Sequence, residues 1–151
     1  MKPPHGLHEV IDIFGDARKI PAIAFEAANI VRVTLPAPLP FEGTHVTKIT
    51  AHRLIANKLS GALQKIYDAG LWHALGSYGG GYANRPQRGS VSLSLHAFGI
   101  AWDFDPEHNE LGTVGSMNPA IVAIFEGDGF VWGGWFKSRL DPMHFQFASG
   151  Y

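Results

Sequence analysis

Apolar residues recur at the spacing of an α-helix in three stretches of the chain. The longest stretch spans residues 47–69 and is ended by Gly70. A shorter helix is predicted over residues 7–14, and a third over residues 118–126, where Asn118-Pro119 is typical of a helix N-terminus. The longest stretch predicts an amphipathic helix whose apolar stripe consists of Ile49, Ile55, Leu59, Leu63, Ile66 and Tyr67.

Other segments alternate between apolar and polar residues or are rich in β-branched residues, which predicts strands over residues 30–35, 99–104, 130–136 and 143–147. Alternation places Ala101 and Asp103 on one face of their strand, and His144 and Gln146 on one face of theirs. The first strand is predicted to stop at a group of prolines, Pro36, Pro38 and Pro40. The pattern therefore predicts an α+β fold, with a small, mainly antiparallel sheet, packed helices and the long helix on one face.

Composition narrows the class of protein. The chain has 151 residues, of which 46% are hydrophobic and 17% charged, so we expect one globular domain over residues 1–151 without a separate wall-binding module. The formal net charge is −1, so nucleic acid and anionic membranes are poor candidate partners. The sequence has no cysteine, which excludes disulfides, thiolate metal ligands and thiol nucleophiles.

The N-terminus lacks the apolar run of a signal peptide, and no stretch is long enough to span a bilayer. We therefore expect a protein that is made in the cytoplasm and does not insert into membranes. We also expect a monomer. If its substrate lies outside the cell, the protein must be released by another route.

The residues that could bind a metal ion or catalyse a reaction are concentrated in residues 94–103 and 141–144. His96 and Asp103 lie seven positions apart, and His144 can supply a third ligand. Two imidazoles and one carboxylate form the ligand set of a catalytic zinc site, which leaves a fourth position for water. Asp141 precedes His144 by three residues and lies just before the same predicted strand. The residue types therefore predict one zinc ion held by His96, Asp103 and His144.

These motifs resemble the zinc peptidases of the D-alanyl-D-alanine carboxypeptidase (VanY-like) family, which includes L-alanyl-D-glutamate endopeptidases of phage endolysins. The resemblance rests on Ser94-x-His96-x-x-Gly99-x-Ala101-x-Asp103, Asp141-x-x-His144, Tyr82-x-x-Arg85-Pro86, Asn109 and the consecutive Trp132, Gly133, Gly134 and Trp135. It implies the fold shared by these peptidases and the hedgehog signalling domain.

The resemblance also implies roles for residues outside the ligand set. Asp141 would be the general base that activates water and passes its proton to the leaving amine. Arg85 would bind the carbonyl oxygen of the substrate, with Arg88 as the alternative. Ser94 would contact the substrate, or instead orient His96.

The expected function is zinc-dependent hydrolysis of an amide bond in the peptide stem of peptidoglycan. An endolysin-like L-Ala–D-Glu endopeptidase of phage or prophage origin, acting on the wall after release, is the first interpretation. A D-alanyl-D-alanine carboxypeptidase is the second. The third is a non-catalytic hedgehog-like zinc-binding module, which would not need Asp141.

Some other residues have simpler interpretations. His52 falls within the apolar stripe of the long helix, which predicts a packing histidine. The tryptophans Trp102, Trp132 and Trp135 are expected in the core. Residues 103–114 imitate a calcium loop, but His108 replaces its turn glycine and Val114 its closing glutamate, so we reject that interpretation.

Overall fold

The computed structural model describes residues 1–19, 21–84 and 93–151. Within them the helices are α1 (Gly6–Phe14), α2 (Ala22–Asn29), α3 (Ala56–Asp68) and α4 (Pro119–Gly127). The strands are β1 (Ile30–Phe41), β2 (Thr44–His52), β3 (Tyr78–Gly80), β4 (Ala101–Phe104), β5 (Val131–Trp132) and β6 (His144–Gln146).

The strands form two antiparallel sheets. One is the β1–β2 hairpin, and the other has the order β3-β4-β6-β5. This arrangement confirms the predicted α+β class. Among the described residues, no helix is long and apolar enough to cross a bilayer.

The predicted long helix is wrong over its first part, because residues 47–52 belong to β2. Their β-branched side chains pair with β1, and Ile49 lies opposite Val33. The hairpin turns at Glu42 and Gly43, whose φ angles of 47° and 77° are those of a tight two-residue turn. The helix begins only at Ala56, and its stripe is buried as predicted, except that Tyr67 is 45% exposed.

The prediction that prolines end β1 is also wrong, since the strand continues to Phe41. Among the described strands, β1 pairs only with β2, and the register shifts between Thr34 and Leu39. A strand with one unpaired edge and an irregular register tolerates residues that lack an N–H donor.

The predicted strand over residues 130–136 is shorter than expected. Only Val131–Trp132 pair with β6, because the chain then turns at Gly133, whose carbonyl accepts hydrogen bonds from Phe136 N and Asp141 N. Trp102 is fully buried as predicted, but Trp135 is 64% exposed, so its assignment to the core is wrong.

Aromatic packing supports the strands that carry the candidate ligands. Phe125 of α4 stacks on Phe104 of β4 and on Phe145 of β6, with ring centroids 5.9 and 4.3 Å apart. Because side chains alternate along a strand, Asp103 and His144 point away from this aromatic layer. Packing on the apolar face of the sheet therefore holds β4 and β6 in place, while the opposite face presents the candidate ligands Asp103 and His144.

His52 is fully buried, which confirms the packing interpretation, but it lies at the end of β2 and not on a helix. Its Nε2 donates to Phe14 O at 3.1 Å, while Nδ1 accepts from Leu54 N at 3.2 Å. Both ring nitrogens are used by the neutral imidazole, and burial lowers the pKa of His52 from 6.5 to about 4.

We expect His52 to make stability depend on pH. Its pKa is lower in the folded state, so its contribution is fully present above pH 6.5 and is lost as the pH falls towards 4. The loss is about 1.4 kcal/mol per pH unit over this window. Urea unfolding between pH 7 and pH 4 should show a smaller pH dependence in His52→Gln. The exposed control His8→Gln should keep the wild-type dependence, and an unchanged dependence in His52→Gln would contradict the assignment.

Candidate metal centre

The register of β4 and β6 brings two of the candidate ligands, Asp103 and His144, together. Asp103 on β4 lies directly opposite His144 on β6, and both side chains leave the same face of the sheet. His144 Nδ1 is 3.0 Å from Asp103 Oδ1. The two residues are far apart in sequence, but the pairing of β4 with β6 places them next to each other as a cross-strand pair.

The third candidate, His96, comes from the short helical turn Leu95–Phe98. Ser94 begins this turn by accepting a hydrogen bond from His96 N at 3.2 Å, and Gly99 ends it in the left-handed conformation, with a φ of 70°. The turn directs His96 Nε2 to within 3.4 Å of Asp103 Oδ2.

The donor set fits a zinc ion. One ligand atom from each of His96, Asp103 and His144 lies within 4.8 Å of the other two. Tetrahedral ligands at zinc distances of about 2.0–2.1 Å would lie about 3.3 Å apart, close to the separations in this cluster. His96 and His144 are only 4% and 7% exposed, which is typical of preformed metal ligands and not of surface histidines.

Hydrogen bonds select the nitrogen that each histidine presents. His96 Nδ1 donates to Gly81 O at 2.8 Å, so Nε2, which faces Asp103 Oδ2, is the nitrogen available to a metal. Gly81 is needed at this point, because a Cβ there would collide with the Tyr78 hydroxyl and approach Thr50 Oγ1 to 3.0 Å.

A chain of two hydrogen bonds, called here the Gln146 relay, orients His144 through Gln146. The Gln146 amide nitrogen donates to Ala148 O at 2.8 Å, so the amide oxygen must face His144 Nε2, 2.9 Å away. Nε2 therefore carries the proton, and Nδ1 is the nitrogen left for a metal. Gln146 is 3% exposed, which makes this relay a buried and rigid support.

Electrostatics keep the carboxylate ionised. Burial opposes the charge on Asp103, but hydrogen bonds from His144 and His96 outweigh burial and hold the pKa of Asp103 well below its usual range. Burial also opposes a charge on His144, yet its hydrogen bond to Asp103 raises the pKa of His144 above its usual value.

Asp141 lies beside the ligand group, with Oδ2 3.9 Å from His144 Nδ1. Its backbone N–H donates to Gly133 O at 2.9 Å, and its carbonyl accepts from His144 N at 3.0 Å. A Cβ at Gly133 would collide with the Asp141 carbonyl oxygen, so the glycine allows this close packing. Asp141 is thus held at a fixed position relative to His144.

These residues share one surface cleft with a volume of about 210 Å³. The cleft is lined by Ser94, Leu95, His96, Asp103, Leu111, Phe136, Ser138, Arg139, Asp141, Met143, His144, Gln146 and Tyr151. A carboxylate in a cleft beside a candidate metal site can accept a proton from a water molecule and donate it to a bound amide.

The structure therefore brings together His96, Asp103 and His144, and places Asp141 and Ser94 in the same cleft. The hydrogen bond of Ser94 goes to the backbone of His96 and not to its ring, and a substrate role for Ser94 stays a prediction. Arg85 and Arg88 lie outside the described residues, and their predicted roles stay predictions too.

Sequence reasoning missed several residues that shape the site. Gln146 was placed on the face of His144 by alternation, which was the available signal, but no role followed from it. Gly81 and Gly133 act through contacts with distant residues, for which a single sequence has no signal. Arg139 lines the cleft because the chain turns back after Gly133.

A second group of potential ligands, Asp105, Glu107 and His108, also has ligand atoms within 4.8 Å of one another. Its central carboxylate bonds to residues of the same loop, with Asp105 Oδ1 2.8 Å from His108 Nδ1 and Oδ2 3.2 Å from Asn109 Nδ2. Asn109 is fully buried and also accepts from Ser116 N. We interpret this group as loop organisation, in agreement with the rejected calcium pattern.

Replacing Gln146 by Met should weaken zinc binding about 10- to 100-fold, the usual cost of losing a partner that orients a metal ligand. Methionine fills similar space but cannot accept from His144 Nε2. Competition with a chromophoric chelator would measure the change. Gln64→Met, at an exposed position of α3, is the matched control. Equal zinc affinity in Gln146→Met and wild type would show that the relay does not support the site.

Comparison with known proteins agrees with the motifs. Residues 88–147 match the family model described as D-alanyl-D-alanine carboxypeptidase. Neither the curated proteins nor the solved structures compared with this chain gave a match. The matching segment contains all three candidate ligands and Asp141. The part of the chain that forms the candidate metal centre is thus similar to the D-alanyl-D-alanine carboxypeptidases.

Proposed function

We propose that this protein is a zinc-dependent peptidase that hydrolyses an amide bond in the peptide stem of peptidoglycan. The observation that carries the proposal is the convergence of His96 Nε2, His144 Nδ1 and the Asp103 carboxylate in a cleft that also contains Asp141. Nitrogen and oxygen donors in this number suit zinc, and three protein ligands leave a coordination position open.

Zinc, when bound, would supply Lewis acidity that polarises the scissile carbonyl and makes water more acidic. The protein residues would do the rest of the chemistry. Asp141 would accept a proton from the attacking water molecule while the oxygen of that water bonds to the carbonyl carbon. When the carbon–nitrogen bond breaks, the same carboxyl group would give that proton to the leaving amine. Asp103 would remain ionised as a ligand throughout, because a bound cation favours the charged form of a carboxylate.

The bond that we favour is L-Ala–D-Glu, as in the endolysin-like enzymes that the motifs resemble. Such a protein would act on the cell wall after release from the cytoplasm. The description of the matching family favours a second candidate, removal of terminal D-Ala by a carboxypeptidase. A hedgehog-like binding module is the non-enzymatic alternative, and Asp141 argues against it because a purely structural site needs no general base.

Digestion of purified peptidoglycan, followed by mass spectrometry, tests the proposal. An L-Ala–D-Glu endopeptidase would release stem peptides with a new amino terminus on D-Glu, whereas a carboxypeptidase would release only D-Ala. A chelator should stop either reaction, and added zinc should restore it. Absence of any product with zinc present would contradict the enzymatic proposal and favour the binding module.

A further inference from the structure

Trp135 is the most exposed tryptophan of the chain, with 64% of its surface accessible. All four tryptophans lie among the described residues, and the other three are buried or half-buried. An exposed indole leaves a large apolar face in contact with water, and tryptophan is enriched at the positions that dominate binding. Neither the proposed ligand set nor the proposed general base makes use of this side chain.

Two contacts hold the indole of Trp135 in one orientation. Its Nε1 donates to Glu126 Oε1 at 2.6 Å, and its ring meets the ring of Trp132 edge to face, with centroids 5.0 Å apart. Trp132 is itself anchored, because its Nε1 donates to Pro142 O at 2.7 Å. A Cβ at Gly134 would collide with the Trp132 indole, so the glycine allows the turn to pack on that ring. A ligand that binds Trp135 therefore does not have to order the side chain first.

The indole platform, which consists of Trp135 with its two contacts Trp132 and Glu126, lies next to the candidate metal centre. Phe136 follows Trp135 in sequence and lines the cleft, and its ring centroid is 6.0 Å from that of His144. Trp135 itself is not among the residues that line the cleft. A substrate that extends out of the cleft on this side would therefore meet the indole platform.

The chemistry of the indole platform suits a sugar ring. A pyranose packs a face of C–H groups on an indole, while its hydroxyl and acetamido groups point outward from the edge of the ring. Glu126 is exposed, and the indole fills one of the roughly four acceptor positions of its carboxylate, so further positions face solvent and can accept from hydroxyl or amide donors. Lys137 and Ser138, which follow in the chain, are exposed and polar. One aromatic face bordered by polar groups fits a sugar better than it fits the apolar core of a protein interface.

We propose that Trp135 and Glu126 bind an N-acetylated sugar of the glycan strand while the attached stem peptide occupies the cleft. This inference rests on the proposed peptidase function, because it assigns a further part of the same substrate. The stem is attached to the glycan by its first residue, L-Ala, so the L-Ala–D-Glu bond lies close to a sugar. Terminal D-Ala lies several residues further away, each adding about 3.3–3.6 Å of extended chain. The indole platform would thus favour stems that are still attached to glycan.

Two substrates test the inference, namely one stem peptide in free form and the same peptide attached to the disaccharide of N-acetylglucosamine and N-acetylmuramic acid. For the wild type, kcat/KM should be about 5- to 30-fold higher for the disaccharide peptide, the usual contribution of a tryptophan that dominates a binding surface. The difference should appear mainly in KM. Trp135→Ala should lose this advantage, and Trp135→Phe should keep part of it. Glu126→Ala should reduce it, because the indole loses the partner that orients it.

Tyr67→Ala is the matched control. Tyr67 is also an exposed aromatic residue that meets a tryptophan, Trp72, edge to face, but it lies on α3 and does not line the cleft. This variant should keep the wild-type preference, and zinc content and circular dichroism would establish that the site and fold of each variant are intact. A wild type without preference for the disaccharide peptide would overturn the inference. An equal loss on both substrates in Trp135→Ala would also overturn it, because the residue would then support the cleft.

Failure of the proposed function gives a different result. If the zinc-loaded wild type cleaved neither substrate, the peptidase proposal would fall, and calorimetric titration with a tetramer of N-acetylglucosamine would still decide the role of Trp135. Binding by the wild type and by Tyr67→Ala, weakened about 5- to 30-fold in Trp135→Ala, would support the inference. Absence of binding, or equal binding by the wild type and Trp135→Ala, would overturn it. Self-association of the wild type that disappears in Trp135→Ala, without glycan binding, would assign the residue to a protein contact and overturn the inference too.

Discussion

Replacing Asp141 by Asn is expected to lower peptidoglycan hydrolysis by about 10²- to 10⁴-fold, the usual contribution of a general base. Asparagine has nearly the same shape but cannot accept the proton of the attacking water. Asp141 is outside the closest ligand group, and its Oδ2 is 3.9 Å from His144 Nδ1. We therefore expect the variant to bind one zinc ion per chain, as the wild type should.

The measurement is the rate of release of stem peptides, with zinc content determined on the same samples. Asp12→Asn is a suitable control, because that carboxylate is 60% exposed and pairs with His8 on α1. It should have full activity. If Asp141→Asn released peptides at the wild-type rate, the mechanism would be wrong. If it lost its zinc, Asp141 would be a ligand and not the base.

Replacing His96 by Ala should abolish both zinc binding and hydrolysis. Loss of an orienting partner alone typically costs 10- to 100-fold in affinity, so we expect loss of a ligand to cost more than about 100-fold. Metal analysis after dialysis and the peptidoglycan assay would measure the two effects. His73→Ala, at an exposed position, should behave like the wild type. One retained zinc ion per chain in His96→Ala would show that the ion binds elsewhere.

The pairing of His96 with Asp103 could be predicted from a local signal, whereas His144, 41 positions from Asp103, entered the predicted ligand set through its residue type and the family resemblance. His96 and Asp103 belong to one short motif, and alternation along a strand places Gln146 on the same face as His144. The helix over residues 118–126 could also be predicted, since the Asn118 side chain accepts from Ala120 N as an N-cap should. Signals of this kind need no knowledge of distant contacts.

The other features depend on contacts between residues that are far apart in sequence. Residues 47–52 have an apolar spacing compatible with a helix, but they are rich in β-branched residues and pair with β1 as a strand. The support that Gly81 gives His96 comes from another segment of the chain. Arg139 enters the cleft because of the turn at Gly133. A single sequence contains no direct information about such pairings.

The cross-strand pair of Asp103 and His144 has a consequence for folding. These residues are 41 positions apart, and they meet only when β4 and β6 pair in the observed register. A slip of one residue would turn one of the two side chains to the aromatic face, while most backbone hydrogen bonds could re-form. If zinc binds this cluster, it would bind tightly only to correctly aligned chains, and by mass action it would stabilise them against the misaligned ones.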